Sequence, residues 1–180
     1  SMSILDSREL LKEQRMFFGD GRFIQEFTQP KYPWALKSVD QQESQNWPFD
    51  EFNLQLDAAQ LAASNQATRH IFTSNLQSQI AADSIQGRGP ASLLQYITDP
   101  NLEYAFVQWS RFECLHSRVY THMLTSMYPN PQIVLHMIDK KPEIHQRFGS
   151  CIKAYDTFFA DPKPENLVPL KIGYNLKTDN

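Results

Sequence analysis

Residues 106–127 read Phe106-Val107-Gln108-Trp109-Ser110-Arg111-Phe112-Glu113-Cys114-Leu115-His116-Ser117-Arg118-Val119-Tyr120-Thr121-His122-Met123-Leu124-Thr125-Ser126-Met127. Within them Phe106, Trp109, Glu113, His116, Tyr120, Met123 and Met127 follow a 3-4-3-4-3-4 spacing. That period places all seven side chains on one face of a helix, turned toward a neighbouring helix. Three of the seven are polar or ionisable, which an ordinary core stripe does not contain.

The helix has clear bounds. Asp99 caps it, Pro100 takes the first helical position, where a missing N–H costs nothing, and Pro129 closes it. Upstream, Asn65 is the expected cap of a second long helix. Its interior row is Phe72, Leu76, Ile80 and Asp83, and it is expected to end near the breaker Gly87-Arg88-Gly89-Pro90. Further out, Gln29-Pro30 opens a candidate helix running toward Trp47, with Pro48 as its stop. A last helix, from about Pro142 to Phe159, carries Ile144, Phe148, Ile152, Tyr155 and Phe159, and the proline-bearing tail beyond reads as loop. Valine is rare and period-two alternation is absent, so the expected class is all-α. The expected organisation is an N-terminal arm (1–29), a helical half-bundle (30–159) and a C-terminal tail (160–180).

Composition narrows the function. The net charge is −3 and the basic residues are scattered, so no stripe marks a nucleic-acid surface. No apolar run approaches the roughly 20 residues that cross a bilayer. Two cysteines, Cys114 and Cys151, make no disulfide framework, and a reducing cytoplasm is the expected compartment.

The chemistry concentrates in Glu113-Cys114-Leu115-His116. Glu-x-x-His on a helix aims a carboxylate oxygen and an imidazole nitrogen at one point, the arrangement that bundle metal sites use. By itself the pattern is common on solvated helices. Its place in an apolar stripe changes its meaning, because a buried carboxylate costs several kcal/mol unless a cation or donor satisfies it. Asp83 is a second acid in an apolar row, and antiparallel packing of the two long helices brings it level with Glu113 and His116. A buried Asp bonded to Arg or backbone is the structural alternative. Tyr120, one turn past His116, is either core filler or a redox partner of a nearby metal.

Longer motifs carry a family resemblance. Ile71-Phe72-Thr73-Ser74-Asn75-Leu76, then Ala82-Asp83-Ser84-Ile85-Gln86-Gly87-Arg88, then Trp109, Glu113, Leu115-His116-Ser117-Arg118 and Tyr120-Thr121-His122 closely resemble the class I ribonucleotide reductase small subunit. Met16-Phe17-Phe18-Gly19 is similar to the start of many members, so the likeness runs from about residue 16 to 159. The resemblance implies a ferritin-like helical bundle with a di-iron centre, in which manganese or a mixed pair also suits the ligands. Residue by residue, it makes Asp83 a terminal carboxylate ligand of the first iron, His116 its imidazole ligand, and Glu113 the carboxylate bridging both irons. It makes Tyr120 the radical-bearing tyrosine. Trp47, before Pro48-Phe49-Asp50-Glu51-Phe52, matches the tryptophan that relays the radical to the large subunit.

The sequence departs from that family beyond its N-terminal half, where the segment that docks on the large subunit is also not found. A second helix pair with another Glu and a second Glu-x-x-His is not found. After residue 159 the acids are Asp161, Glu165 and Asp179, no His follows His145, and Glu143 and His145 point to different faces. The expectation is therefore the N-terminal half of the subunit, from a split gene with a complementary C-terminal chain or from truncation. The terminal stretch Ile172–Asn180 reads as a natural end and favours the split gene. The implied partners are that chain, the large subunit and a second copy, as in the family, with ribonucleoside-diphosphate reduction as the activity. Two other readings stay open. One is a homodimeric ferritin-like di-iron oxidase with a Glu113/His116 pair from each copy, the other a metal-free interaction module.

Overall fold

A computed structural model describes residues 15–19, 24–45 and 53–170. Among the described residues six helices precede a last helical stretch at 164–170: α1 (Pro33–Ser44), α2 (Gln55–Ala63), α3 (Gln66–Leu93), α4 (Pro100–Met127), α5 (Pro131–His136) and α6 (Pro142–Ala160). A 3-10 turn, Leu94–Tyr96, links α3 to α4. The described residues form no strand beyond one isolated antiparallel bridge, Phe17 to Ile97. None of their helices is long and apolar enough to cross a membrane.

The expected caps are in place. Asn65 accepts from the Thr68 amide at 2.8 Å, and Asp99 Oδ1 accepts from the Asn101 and Leu102 amides, each at 2.9 Å. The first helix begins at Pro33 rather than Pro30. Had Gln29 been the cap, Pro33 would occupy the fourth helical position, whose N–H the cap carbonyl needs; starting at Pro33 itself removes the conflict.

The helix α3 does not stop at the glycine-proline breaker but runs to Leu93 with Pro90 inside it. Packing overrides the local signal: Pro90 and Leu93 are both buried. Two hydroxyls brace the weakened stretch, Ser110 of α4 donating to the Gly87 carbonyl and Ser92 to that of Gly89.

On α6 the buried residues are Ile144, Phe148, Cys151, Tyr155 and Phe158, while Ile152 and Phe159 are exposed. Helical geometry explains the shift. A residue eight positions on lies about 80° round the helix, whereas one seven positions on lies only about 20° away, so the true inner row alternates four and three. The tail, read as loop, is helical over 164–170, and its Leu167 and Leu170 join Leu93, Tyr155 and Phe158 in one core cluster.

The pair α3 and α4 makes the most extensive contact in the chain, with α1 against α4 and α6 against α3. At one end of the pair Leu76 and Ile80 of α3, Leu124 of α4 and Val134 of α5 form a core around Tyr120. Gln77 Nε2 ties α3 to α5 by donating to the Val134 carbonyl at 2.8 Å. At the other end Ala81, Ile144 and Phe148 lead into the Leu93 cluster.

Candidate metal centre

Pairing of α3 with α4 brings three side chains from distant positions to one point. Asp83, Glu113 and His116 each offer a ligand atom, and these atoms all lie within 4.8 Å of one another. A metal bonded at about 2.0–2.2 Å to nitrogen and oxygen donors spaces its ligands up to about 4.4 Å apart, so rotamer adjustments of a few tenths of an ångström close the cluster on a cation. Two carboxylates and an imidazole suit iron or manganese. The residues present fit such a centre.

The surroundings orient the donors. Trp109 Nε1 donates to Glu113 Oε1 at 2.8 Å from one turn away. His116 Nδ1 lies 3.7 Å from Glu113 Oε2. Beside the Glu113 carboxylate, the imidazole holds its proton to higher pH than usual; burial opposes this, and the charge of Asp83 reinforces it. Burial pushes the Tyr120 phenol up, and the negative charges of Asp83 and Glu113 push it further. Tyr120 is thus a neutral phenol at physiological pH, set against Leu76, Ile80 and Leu124.

The stripe expected to face inward is only half-buried. Asp83 is 8% exposed, but the His116 side chain is 39% exposed and that of Glu113 12%. Behind the stripe, Gln108, Phe112 and Val119 form a buried row of α4. Phe112 and Val119 precede Glu113 and Tyr120 by one residue, about 100° round the helix. On that side Gln108 donates to Glu43 of α1, so α1 covers the row behind the stripe. The burial argument therefore applies to Asp83 and Glu113 and much less to His116. Trp47 lies outside the described residues. The role of Trp109 toward Glu113 escaped the sequence reading, although their four-residue offset is the signal for it.

Two long helices presenting two carboxylates and an imidazole at their crossing are the arrangement that helical carboxylate-histidine metal bundles use. The sequence profile of the family described as "Ribonucleotide reductase, small chain" matches residues 25–172, and the chain belongs to that family. It is 36% identical over 142 residues to the ribonucleoside-diphosphate reductase subunit beta of Enterobacteria phage T4, covering 78% of this chain and 37% of that protein. With the Haemophilus influenzae subunit beta it shares 35% identity over 157 residues, 87% of this chain and 42% of that one. The ribonucleotide reductase R2 subunit from Clostridium botulinum superposes with a TM-score of 0.86 at 17% identity, over 96% of this chain and 55% of that one, and so shares its fold. The chain spans about two fifths of the length of these two curated relatives.

Proposed function

We propose that this chain supplies one half of the metal and tyrosine site of a ribonucleoside-diphosphate reductase small subunit. The observation that carries this reading is the convergence of Asp83, Glu113 and His116 within 4.8 Å, one turn from Tyr120. A bound di-iron pair, or its manganese or mixed counterpart, would supply oxidising chemistry with dioxygen. Asp83, Glu113 and His116 would hold that pair, Glu113 as the shared ligand. Tyr120, kept a neutral phenol by burial and by the charges of Asp83 and Glu113, would be the residue that such a centre oxidises, losing one electron to it and its phenolic proton with it. Its apolar neighbours keep water from the oxidised ring. Trp47 relays the radical toward the large subunit, a role assigned by resemblance alone.

The half-exposed stripe of α4 supports a complementary partner. Helices of a separate C-terminal chain cover His116 and provide the remaining ligands, and the assembly pairs with a second copy and with the large subunit. Cys114 and Cys151 are not joined in a disulfide, which fits a cytoplasmic protein. Reconstitution with ferrous iron and oxygen, with and without the complementary segment, tests the reading by electron paramagnetic resonance. A tyrosyl doublet that Tyr120→Phe abolishes supports it; a doublet unchanged in that variant, or none in any combination, refutes it.

A further inference from the structure

An apolar pocket of about 210 Å³ has the Trp109 ring in its wall. One wall is Leu102, Phe106 and Trp109 of α4, another is Leu93, Leu167 and Leu170, and Met16 and Phe17 of the N-terminal arm form a third. The arm is fastened there. Thr98 N donates to the Met16 carbonyl and Phe18 N to that of Tyr96, each at 3.0 Å. Thr98 Oγ1 accepts from the Gly19 amide at 3.0 Å and donates to the Arg15 carbonyl at 2.8 Å. Phe18, at φ 56, takes the left-handed conformation that this path requires. Its ring packs on Tyr96 and Phe158.

Such a space has a defined ligand chemistry. The pocket is partly open to solvent, with the exposed Trp34 in its lining, but that lining carries no charged group, so water there has few partners and a small apolar guest displaces it readily. A small apolar guest gains dispersion contacts there that water solvation does not offer. Trp109 links this space to the metal centre: its ring is part of the wall and its N–H rests on Glu113.

We propose that this cavity is a binding site for dioxygen, held as a small apolar guest one indole away from the carboxylate-histidine cluster. The guest's identity rests on the metal reading above; the apolar site itself does not. Xenon is the probe, applied under pressure to the isotope-labelled full chain, alone and assembled with its complementary segment, with methyl spectra as readout. The expected result is saturable shifts at the methyls of Leu93, Leu102, Leu167 and Leu170 in both states. Filling the space by Leu102→Phe, or by Leu167→Trp should the first variant disturb α4, abolishes the shifts. It also slows oxidation of the ferrous assembly by oxygen several-fold at unchanged iron content.

Absence of shifts at these methyls, or their loss on assembly because partner side chains fill the space, overturns the site. A filled variant that binds no xenon yet oxidises at the wild-type rate overturns the dioxygen assignment. Xenon shifts in an assembly that binds no iron leave an apolar site standing and remove its dioxygen role along with the metal reading.

Discussion

Trp109 and Glu113 are joined across one turn of α4 by a 2.8 Å hydrogen bond from the indole nitrogen to a carboxylate oxygen. The bond holds one Glu113 oxygen in place while the other faces His116 at 3.7 Å. Partners that orient a ligand in this way typically contribute about 10–100-fold to metal affinity. Trp109→Phe is therefore expected to weaken metal binding within that range while helicity is kept. Titration with cobalt(II), followed by its visible absorption, measures the change.

The proton on His116 sets a pH dependence. A metal needs the neutral imidazole, so binding must displace a proton whose pKa is raised above 6.5, chiefly by Glu113. Metal affinity is expected to fall as pH drops through that raised value and to level off above it. In the metal-free chain the sign is opposite. The charged imidazole contributes stability that is fully present below pH 6.5 and is lost as pH rises through the folded-state pKa. Glu113→Gln should move the imidazole transition of the metal-free chain toward lower pH, as nuclear magnetic resonance titration of the His116 ring would show.

The register of α6 predicts an asymmetry between adjacent phenylalanines. Phe158 is 0% exposed and Phe159 is 39% exposed. Phe158→Ala should cost about 3–5 kcal/mol of unfolding free energy, as large-to-small core changes do, and Phe159→Ala much less. Urea denaturation of both variants checks this. Equal losses would mean that the row read from the sequence, through Ile152 and Phe159, is the buried one after all.

Fastening of the arm depends on one hydroxyl. Thr98→Val removes both the bond from the Gly19 amide and the bond to the Arg15 carbonyl. A loss of about 1 kcal/mol per bond is expected, confined to the arm. Hydrogen exchange should quicken at Gly19 and stay unchanged at Leu124.

Much of this was legible in the residues themselves. Asn65, Asp99 and Pro100 mark helix starts by their own hydrogen-bonding and backbone chemistry, and the structure begins α3 and α4 beside them. The juxtaposition of Asp83 with Glu113 and His116 followed from two rows and an antiparallel crossing. What escaped depends on tertiary context. Pro90 stays inside a helix because neighbours bury it and hydroxyls brace its surroundings, which no local signal announces. Leu167 and Leu170 sit among prolines, and only their packing on Leu93 and Phe158 shows them to be core. The half-exposure of His116 depends on which faces of α4 other helices cover, and periodicity reports a face without its neighbour.

The central claim is that Asp83, Glu113 and His116 hold a metal pair together with a complementary helical segment. Native mass spectrometry with metal analysis, on this chain alone and mixed with that segment, tests it most directly. The account predicts a heteromeric complex carrying two metal ions per site, with the metal lost from Asp83→Ala, Glu113→Ala and His116→Ala assemblies that still form. A metal-loaded homodimer of this chain, metal retained in all three variants, or an assembled complex without metal would contradict it.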